Sequence, residues 1–133
     1  MTSAATPRGR TVIVVADDDS VSRRVLSALI GREGHEVHTA VDGNETLALV
    51  TELRPAVLFV DAAMPAPDGY EVCALIRADD DLETQPIIVM VTAAGREGDR
   101  DRAMAAGVDD FVTKPFSPSQ LTAKLRELVP PPL

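Results

Sequence analysis

The chain has 133 residues, of which 45% are hydrophobic and 26% are charged, and its formal net charge at pH 7 is −8. This length allows one domain with a core, and the balance of residues is typical of a soluble globular protein. The acidic balance argues against a nucleic-acid-binding surface, the single cysteine excludes an internal disulfide, and no apolar run is long enough to span a membrane.

The chain begins with a short segment that lacks an apolar run, and we expect residues 1–10 to form a flexible tail. Thr11–Ala16 (TVIVVA) is rich in β-branched residues and predicts a buried strand, which leads directly into Asp17-Asp18-Asp19. Ser20 is expected to be the N-cap of the next helix. The apolar residues that share one face of this helix by their spacing are Val21, Val25 and Leu29, with Leu26 and Ile30 beside them.

Two further strands are predicted before the middle of the chain. Glu36–Ala40 alternates between polar and apolar residues and predicts a short strand, after which Asn44 is expected to cap a helix. Ala56–Val60 (AVLFV) is a short apolar run that predicts a fully buried strand of a parallel sheet. Asp61 follows it directly and would lie at the carboxyl edge, where open α/β sheets bind their ligands.

The same alternation of helices and strands continues in the second half of the chain. Val72, Leu75 and Ile76 predict a helix that ends near Ala78. Next come a predicted strand, Ile87–Val91, which ends at Thr92, and a weakly amphipathic helix, Arg96–Ala106. A strand Asp110–Thr113 follows and leads into Lys114-Pro115. Ser117, Pro118 and Gln120 predict the start of the last helix, which would bury Leu121, Leu125 and Leu128.

Five predicted strands therefore alternate with five predicted helices. This pattern predicts an α/β fold in which a doubly wound parallel sheet is covered by helices on both faces. The domain would extend over residues 11–129, and residues 130–133 would be a C-terminal tail.

Polar side chains gather where these strands end. In a parallel sheet Asp17 and Asp18, Asp61, Thr92 and Lys114 would all lie at one edge. Carboxylates packed together either acquire raised pKa values or bind a cation, and oxygen ligands with open positions suit Mg²⁺. A hydroxyl and an ammonium group beside such a metal site are what a phosphoryl group requires.

Taken singly, each of these residues has an ordinary structural explanation. An acidic turn that caps a helix would account for Asp17–Asp19, and we keep that explanation for Asp19. His35 and His38 flank or lie within the short second strand, away from this edge, and are expected to have surface or packing roles. Cys73 is expected to be a small core residue.

The segments VVADDDSVSRR, FVDAAMPAPDG, VMVTA and FVTKPF together resemble the receiver domain of bacterial two-component response regulators. The resemblance extends from Thr11 to about Val129. It implies a flavodoxin-like (βα)5 fold with the strand order 2-1-3-4-5.

The resemblance also implies the ligands of a metal ion. Asp61 would be the phosphoacceptor and a ligand of Mg²⁺. Asp18 would bind the ion directly and Asp17 through water, and the backbone carbonyl of Ala63 would be the third protein ligand.

Three more roles follow from the resemblance. Thr92 would be the switch hydroxyl, and Lys114 would bind the phosphoryl group. Phe111 occupies the position of the aromatic switch residue, which is often tyrosine in this family. Because phenylalanine has no hydroxyl, a signal would pass through packing alone.

On this basis we expect a stand-alone, cytoplasmic receiver that a histidine kinase or phosphotransfer protein phosphorylates on Asp61. Phosphorylation would change the face around Arg96–Ala106 and Ser117–Leu128, which would bind an unidentified downstream protein. A phosphorylation-dependent dimer is compatible with this expectation, whereas direct contact with nucleic acid and membrane insertion are not. The chain would not be an enzyme beyond self-catalysed phosphotransfer and autodephosphorylation.

Two alternatives stay open at this point. The first is a Mg²⁺-dependent phosphatase with an aspartate nucleophile, but such sites commonly carry a second acid two residues later, where this chain has Ala63. The second is the N-terminal receiver fragment of a longer DNA-binding or enzymatic regulator, because the PPPL ending resembles the start of a linker.

Overall fold

A computed structural model describes residues 11–93 and 99–129, and both predicted tails lie outside these ranges. Five β-strands alternate with five α-helices along the described residues, as the sequence predicts. In chain order they are β1 (Val12–Ala16), α1 (Ser20–Arg32), β2 (Glu36–Ala40), α2 (Gly43–Leu53), β3 (Val57–Asp61), α3 (Gly69–Arg77), β4 (Ile87–Ala93), α4 (Asp99–Ala106), β5 (Asp110–Lys114) and α5 (Pro118–Leu128).

The strands form one parallel sheet with the order β2-β1-β3-β4-β5, which confirms the predicted flavodoxin-like topology. The chain reverses its direction of winding between β1 and β3. Ligands of open α/β sheets bind at the carboxyl ends of the strands beside such a switch point. The topology therefore places the ends of β1 and β3 where a site is expected.

Two apolar clusters cover the two faces of the sheet. On one face, residues of β1 and β3 pack with Leu26 and Ile30 of α1 and with Leu121 and Leu125 of α5. On the other face, alternate residues of the same strands pack with α2, α3 and Ala103 of α4. Because both faces of the central strands are covered, β3 is buried at every position, including Asp61.

The structure corrects two details of α1. Asp19 rather than Ser20 is the N-cap, and its Oδ2 accepts a hydrogen bond of 2.9 Å from the backbone N–H of Ser22. Val21 and Val25 do not belong to the inner face, since they are 65% and 43% exposed. The buried residues of the helix are Leu26, Leu29 and Ile30, which lie later in its sequence.

A similar correction applies to α2, where Asp42 is the N-cap in place of Asn44. Asp42 Oδ1 accepts a hydrogen bond of 2.8 Å from the backbone N–H of Glu45. Both residues are good caps by type, and the helix starts at Gly43, next to Asp42. Gly43 itself packs so closely against the carbonyl of Pro67 that a side chain would not fit there.

The helices of the second half mostly agree with the prediction. α5 starts with the expected capping box, in which Ser117 and Gln120 exchange hydrogen bonds. In α3, Val72 and Ile76 are buried, but Leu75 is 52% exposed and lies outside the core. The predicted start of the fourth helix at Arg96 lies outside the described residues. No helix in the described ranges is long and apolar enough to cross a membrane.

Candidate functional site

The predicted polar residues are brought together at the carboxyl edge of the sheet. Asp17 follows the last residue of β1, Asp61 is the last residue of β3, and Lys114 is the last residue of β5. Thr92 lies near the end of β4 and is paired in register with Thr113 of β5. The parallel register thus gathers side chains that are far apart in sequence.

Three carboxylates form the centre of this site. Asp17 is fully buried, Asp61 is 7% exposed, and Asp18 is exposed to solvent. One carboxylate oxygen from each lies within 4.8 Å of the others. The site therefore has two buried acids and one acid at its opening.

Lys114 is the cation that faces these acids. Its Nζ lies 3.1 Å from Asp17 Oδ2 and 3.9 Å from Asp61 Oδ2. Asp17 is thus its nearer partner, a pairing that the sequence did not indicate. Asp17 Oδ1 accepts a second hydrogen bond from the backbone N–H of Asp19 at 2.9 Å. These contacts hold Asp17 in place beside Asp61.

Opposing effects act on the pKa of the Asp61 carboxyl group. Burial raises the pKa of its carboxyl group to about 6, and the neighbouring carboxylate of Asp17 adds to this rise. The backbone N–H of Ala63, 3.2 Å from Asp61 Oδ1, and the ammonium group of Lys114 lower the pKa in opposition. Asp61 is consequently ionised at neutral pH, but at a cost in free energy.

The donor set fits a hard divalent cation. Three carboxylates face one ammonium group, so that two negative charges remain without a partner in this cluster when all groups are ionised. The ligands are oxygen atoms, and one of them is exposed, as Mg²⁺ requires when it keeps several waters. Asp17, Asp18 and Asp61 are the side chains that would hold the ion, and Ala63 is exposed beside them.

A cavity of about 330 Å³ opens over Asp61. Its lining includes Asp61, Thr92 and Lys114, together with Ala62, Ala63 and Ala93. The half-buried Thr92 therefore faces the same space as the proposed acceptor and the ammonium group. This is the arrangement that a small tetrahedral anion bound to Asp61 would need.

The lining of the same cavity also includes residues that sequence reasoning missed. They are Met64, Asp68, Tyr70 and Arg102. The guanidinium carbon of Arg102 lies 4.0 Å from the centroid of the Tyr70 ring, and its Nη2 lies 3.4 Å from Asp68 Oδ2. The sequence does show Asp68 and Glu71 as a capping pair, but it does not show that α4 brings Arg102 to them.

Phe111 lies beside the site rather than in it. It is half-buried on β5, is paired in register with Met90 and packs against the apolar cluster that contains α3 and α4. The guanidinium carbon of Arg100 lies 4.2 Å from the centroid of its ring. Phe111 is not among the described residues that line the cavity.

The two histidines and the cysteine are away from this edge. His35 is 4% exposed, neither ring nitrogen has a hydrogen-bond partner in the described structure, and burial lowers its pKa. His38 Nε2 lies 2.7 Å from Glu36 Oε2. Burial raises the pKa of Cys73 to about 12, which favours the protonated thiol over the nucleophilic thiolate at neutral pH.

Comparison with known proteins gives a single family. The family model described as the response regulator receiver domain matches residues 13–126. The probable transcriptional regulator ycf27 of Cyanophora paradoxa is 40% identical over 117 residues, which are 88% of this chain and 47% of that protein. The chain thus spans about half the length of the first curated relatives that it matches.

Two other matches cover most of this chain and most of the matched protein. The protein PilG of Pseudomonas aeruginosa is 35% identical over 89% of this chain and 87% of its own length. The crystal structure of a receiver domain of a sensor histidine kinase from the same species has a TM-score of 0.80 and 28% identity, and the match covers 90% of this chain and 98% of that one. That structure has a magnesium ion coordinated in its active-site cleft.

Proposed function

Because the chain belongs to the family of response regulator receiver domains, we propose that Asp61 accepts a phosphoryl group and thereby switches a binding surface. Receiver domains are the signalling modules of two-component systems. One observation carries the assignment to Asp61: this buried carboxylate ends β3 between two further acids and the ammonium group of Lys114.

The chemistry that we propose uses the residues of the site directly. An ionised Asp61 oxygen attacks the phosphorus atom of the donor, and the bond from phosphorus to the leaving group breaks. Lys114 is close enough to neutralise charge on the phosphoryl oxygens, and Thr92 lines the same cavity and donates its hydroxyl proton to one of them. Mg²⁺, when held by Asp17, Asp18, Asp61 and the carbonyl of Ala63, supplies charge neutralisation and orientation for the same oxygens.

The switch that we propose runs from Thr92 to the neighbouring helices. A hydrogen bond from Thr92 to the phosphoryl group draws the end of β4 inward, and Phe111 on the adjacent strand changes its packing. The surface formed by α4, β5 and α5 is then altered for a downstream protein or a second copy of the chain. This path is supported by the half-buried position of Phe111 under Arg100.

The partner that we propose as donor is a histidine kinase or a phosphotransfer protein, and we propose that the reaction takes place in the cytoplasm. The name of the ycf27 relatives describes transcriptional regulators, but this chain matches about half of their length. The net charge of −8 favours protein partners over direct contact with nucleic acid. The phosphatase alternative is not favoured, because the matching family is a family of signalling modules.

Intact mass spectrometry tests this function. The protein is incubated with acetyl phosphate and Mg²⁺, and we expect the parent to gain the mass of one phosphoryl group while Asp61→Asn gains none. Asp80→Asn is the matched control, since Asp80 is an exposed aspartate between α3 and β4. Labelling of Asp61→Asn to the same extent as the parent would place the acceptor elsewhere, and sustained hydrolysis of p-nitrophenyl phosphate would restore the phosphatase alternative.

A further inference from the structure

The cavity over Asp61 extends beyond the residues that the proposed function uses. Its lining includes Asp61, Thr92 and Lys114, and it also includes Asp68, Tyr70 and Arg102. We call Asp68, Tyr70 and Arg102 the α4 group of the cavity lining, because α4 contributes Arg102. A phosphoryl donor must enter this cavity. The positive charge of a guanidinium group there would affect which donors react fastest.

We propose that Arg102 is a specificity-determining residue for the phosphoryl donor. Its guanidinium group favours donors whose leaving group departs as a carboxylate, which are acyl phosphates, over donors whose leaving group departs as an amine. The inference rests on the proposed function, because it concerns the donor of the phosphoryl group that Asp61 accepts.

The position of Arg102 is set by its contacts within the α4 group. Its guanidinium carbon lies 4.0 Å from the centroid of the Tyr70 ring, within the range of a cation–π contact. Tyr70 is only 8% exposed and so provides a fixed surface, and the buried Ala103 next to Arg102 anchors α4 against the core. The positive charge is therefore held at the cavity wall.

Arg102 also keeps hydrogen-bond donors for a ligand. Asp68 Oδ1 accepts a hydrogen bond of 2.9 Å from the backbone N–H of Glu71, as the cap of α3. Asp68 Oδ2 accepts a hydrogen bond from Arg102 Nη2 at 3.4 Å, which is longer than a strong charge-assisted hydrogen bond. A guanidinium group has five N–H donors, and this contact occupies one of them.

The direction of the reaction brings the leaving group toward solvent. An Asp61 oxygen attacks phosphorus from the floor of the cavity, so in-line departure sends the leaving group away from β3 and into the open part of the cavity. The bond from phosphorus to the leaving atom breaks, and the electron pair stays with that atom. The guanidinium group of Arg102 lines the same cavity that the leaving group enters.

Two simple donors differ in the charge that develops on the leaving atom. Acetyl phosphate releases acetate, whose oxygen gains negative charge as the bond breaks. Phosphoramidate is protonated on nitrogen and releases ammonia, so its leaving atom carries no negative charge. A nearby guanidinium group stabilises the first transition state and does not stabilise the second.

The experiment measures second-order rate constants for phosphoryl incorporation from each donor by intact mass, at fixed Mg²⁺ and ionic strength. The quantity of interest is the ratio of the acetyl phosphate rate constant to the phosphoramidate rate constant. For Arg102→Gln we expect this ratio to fall about 3- to 10-fold, as for the loss of one partly solvated charge near a reacting group. Arg102→Lys is expected to retain most of the parent ratio.

Asp68→Asn tests the charge in the opposite direction, and Arg100→Gln is the matched control. Asp68→Asn keeps a good N-cap for α3 but removes the carboxylate beside Arg102, and we expect it to raise the ratio. Arg100→Gln makes the same charge change as Arg102→Gln on the same helix, but Arg100 stacks on Phe111 and is not among the described residues that line the cavity. It should leave the ratio unchanged.

A purely structural role would give a different result. If Arg102 only holds α4 against Tyr70, then Arg102→Gln will slow both donors equally, the ratio will not change, and the inference is wrong. An equal fall of the ratio in Arg100→Gln would also overturn it, because the effect would then be one of general charge. If neither donor labels the parent on Asp61, the proposed function fails and this inference fails with it.

Discussion

Asp61 carries a buried negative charge beside Asp17, and a bound cation would stabilise it. The carboxyl group is buried beside the fully buried Asp17, and its pKa is raised to about 6. Lys114 offsets part of this cost, but its Nζ is closer to Asp17 than to Asp61. The residue that we propose as acceptor is therefore one whose ionised form is destabilised in the metal-free fold.

The raised pKa of Asp61 predicts that Asp61→Asn makes the metal-free protein more stable relative to the parent as the pH rises. Because the folded-state pKa is above the unfolded value, the folded state holds the additional proton between about pH 4 and pH 6, and the parent loses stability as the pH rises through that range. The advantage of Asp61→Asn in the free energy of unfolding should grow by about 1 kcal/mol from pH 5 to pH 8.

The measurement is urea unfolding in EDTA at several pH values. Asp80→Asn, at an exposed position, should show no such growth. A constant difference between Asp61→Asn and the parent across this range would mean that the pKa of Asp61 is not raised.

Thr92 and Lys114 line the same cavity but are expected to serve different steps. Lys114→Ala should slow phosphoryl incorporation, because it removes the only ammonium group within 4 Å of Asp61 in the described structure. Thr92→Ala should still gain the phosphoryl mass but should show smaller amide chemical-shift changes at Phe111. Intact mass and NMR spectra of both variants with acetyl phosphate check this, and an equal loss of phosphorylation would remove the distinction.

The boundaries of the helices and strands were predicted correctly where only one residue in the segment suited the end of the element. The capping box of α5 and the limits of β2 were predicted correctly, because Ser117-Pro118 and the Glu36–Ala40 alternation are unambiguous. The caps of α1 and α2 were misassigned because two cap-forming residues compete in each turn. The inner face of α1 was misjudged because Val21 and Val25 have the right spacing but are exposed, and spacing alone does not show which part of an apolar stripe packs on the sheet.

The correction at α2 leads to a direct test. Asp42→Ala should destabilise the protein by about 1 kcal/mol, since it removes the acceptor for the N–H of Glu45. Asn44→Ala should change the free energy of unfolding by less than about 0.5 kcal/mol, because Asn44 lies inside the helix and is exposed. Thermal or urea unfolding measures both, and a larger loss for Asn44→Ala would restore the original assignment.

The site shows a similar division between what sequence can and cannot predict. Asp17, Asp18, Asp61, Thr92 and Lys114 could be brought together from sequence because each lies at or next to a strand end, and parallel topology aligns those ends. The α4 group of the cavity lining could not be predicted, because it depends on how two helices pack against each other. The weak amphipathicity of α4 gives no indication that Arg102 reaches Asp68 and Arg100 reaches Phe111.

For the whole molecule, the acidic cluster links metal binding to stability. The chain carries a net charge of −8, and a concentrated part of that charge is the group Asp17, Asp18 and Asp61. A cation that binds only the folded state raises the free energy of unfolding according to its concentration. General screening of the negative surface would also stabilise the fold, and the two effects must be separated.

Mg²⁺ is therefore predicted to raise the thermal midpoint more than NaCl at equal ionic strength. At a concentration ten times the dissociation constant, the gain in the free energy of unfolding should be about 1.4 kcal/mol. Asp18→Asn should lose most of the Mg²⁺-specific gain, because Asp18 would supply the exposed oxygen ligand of the cluster, whereas Asp80→Asn should keep it. Differential scanning calorimetry with both salts measures the difference. If Asp18→Asn responds to Mg²⁺ as the parent does, the ion is not held by this cluster, and the gain is a property of the acidic surface as a whole.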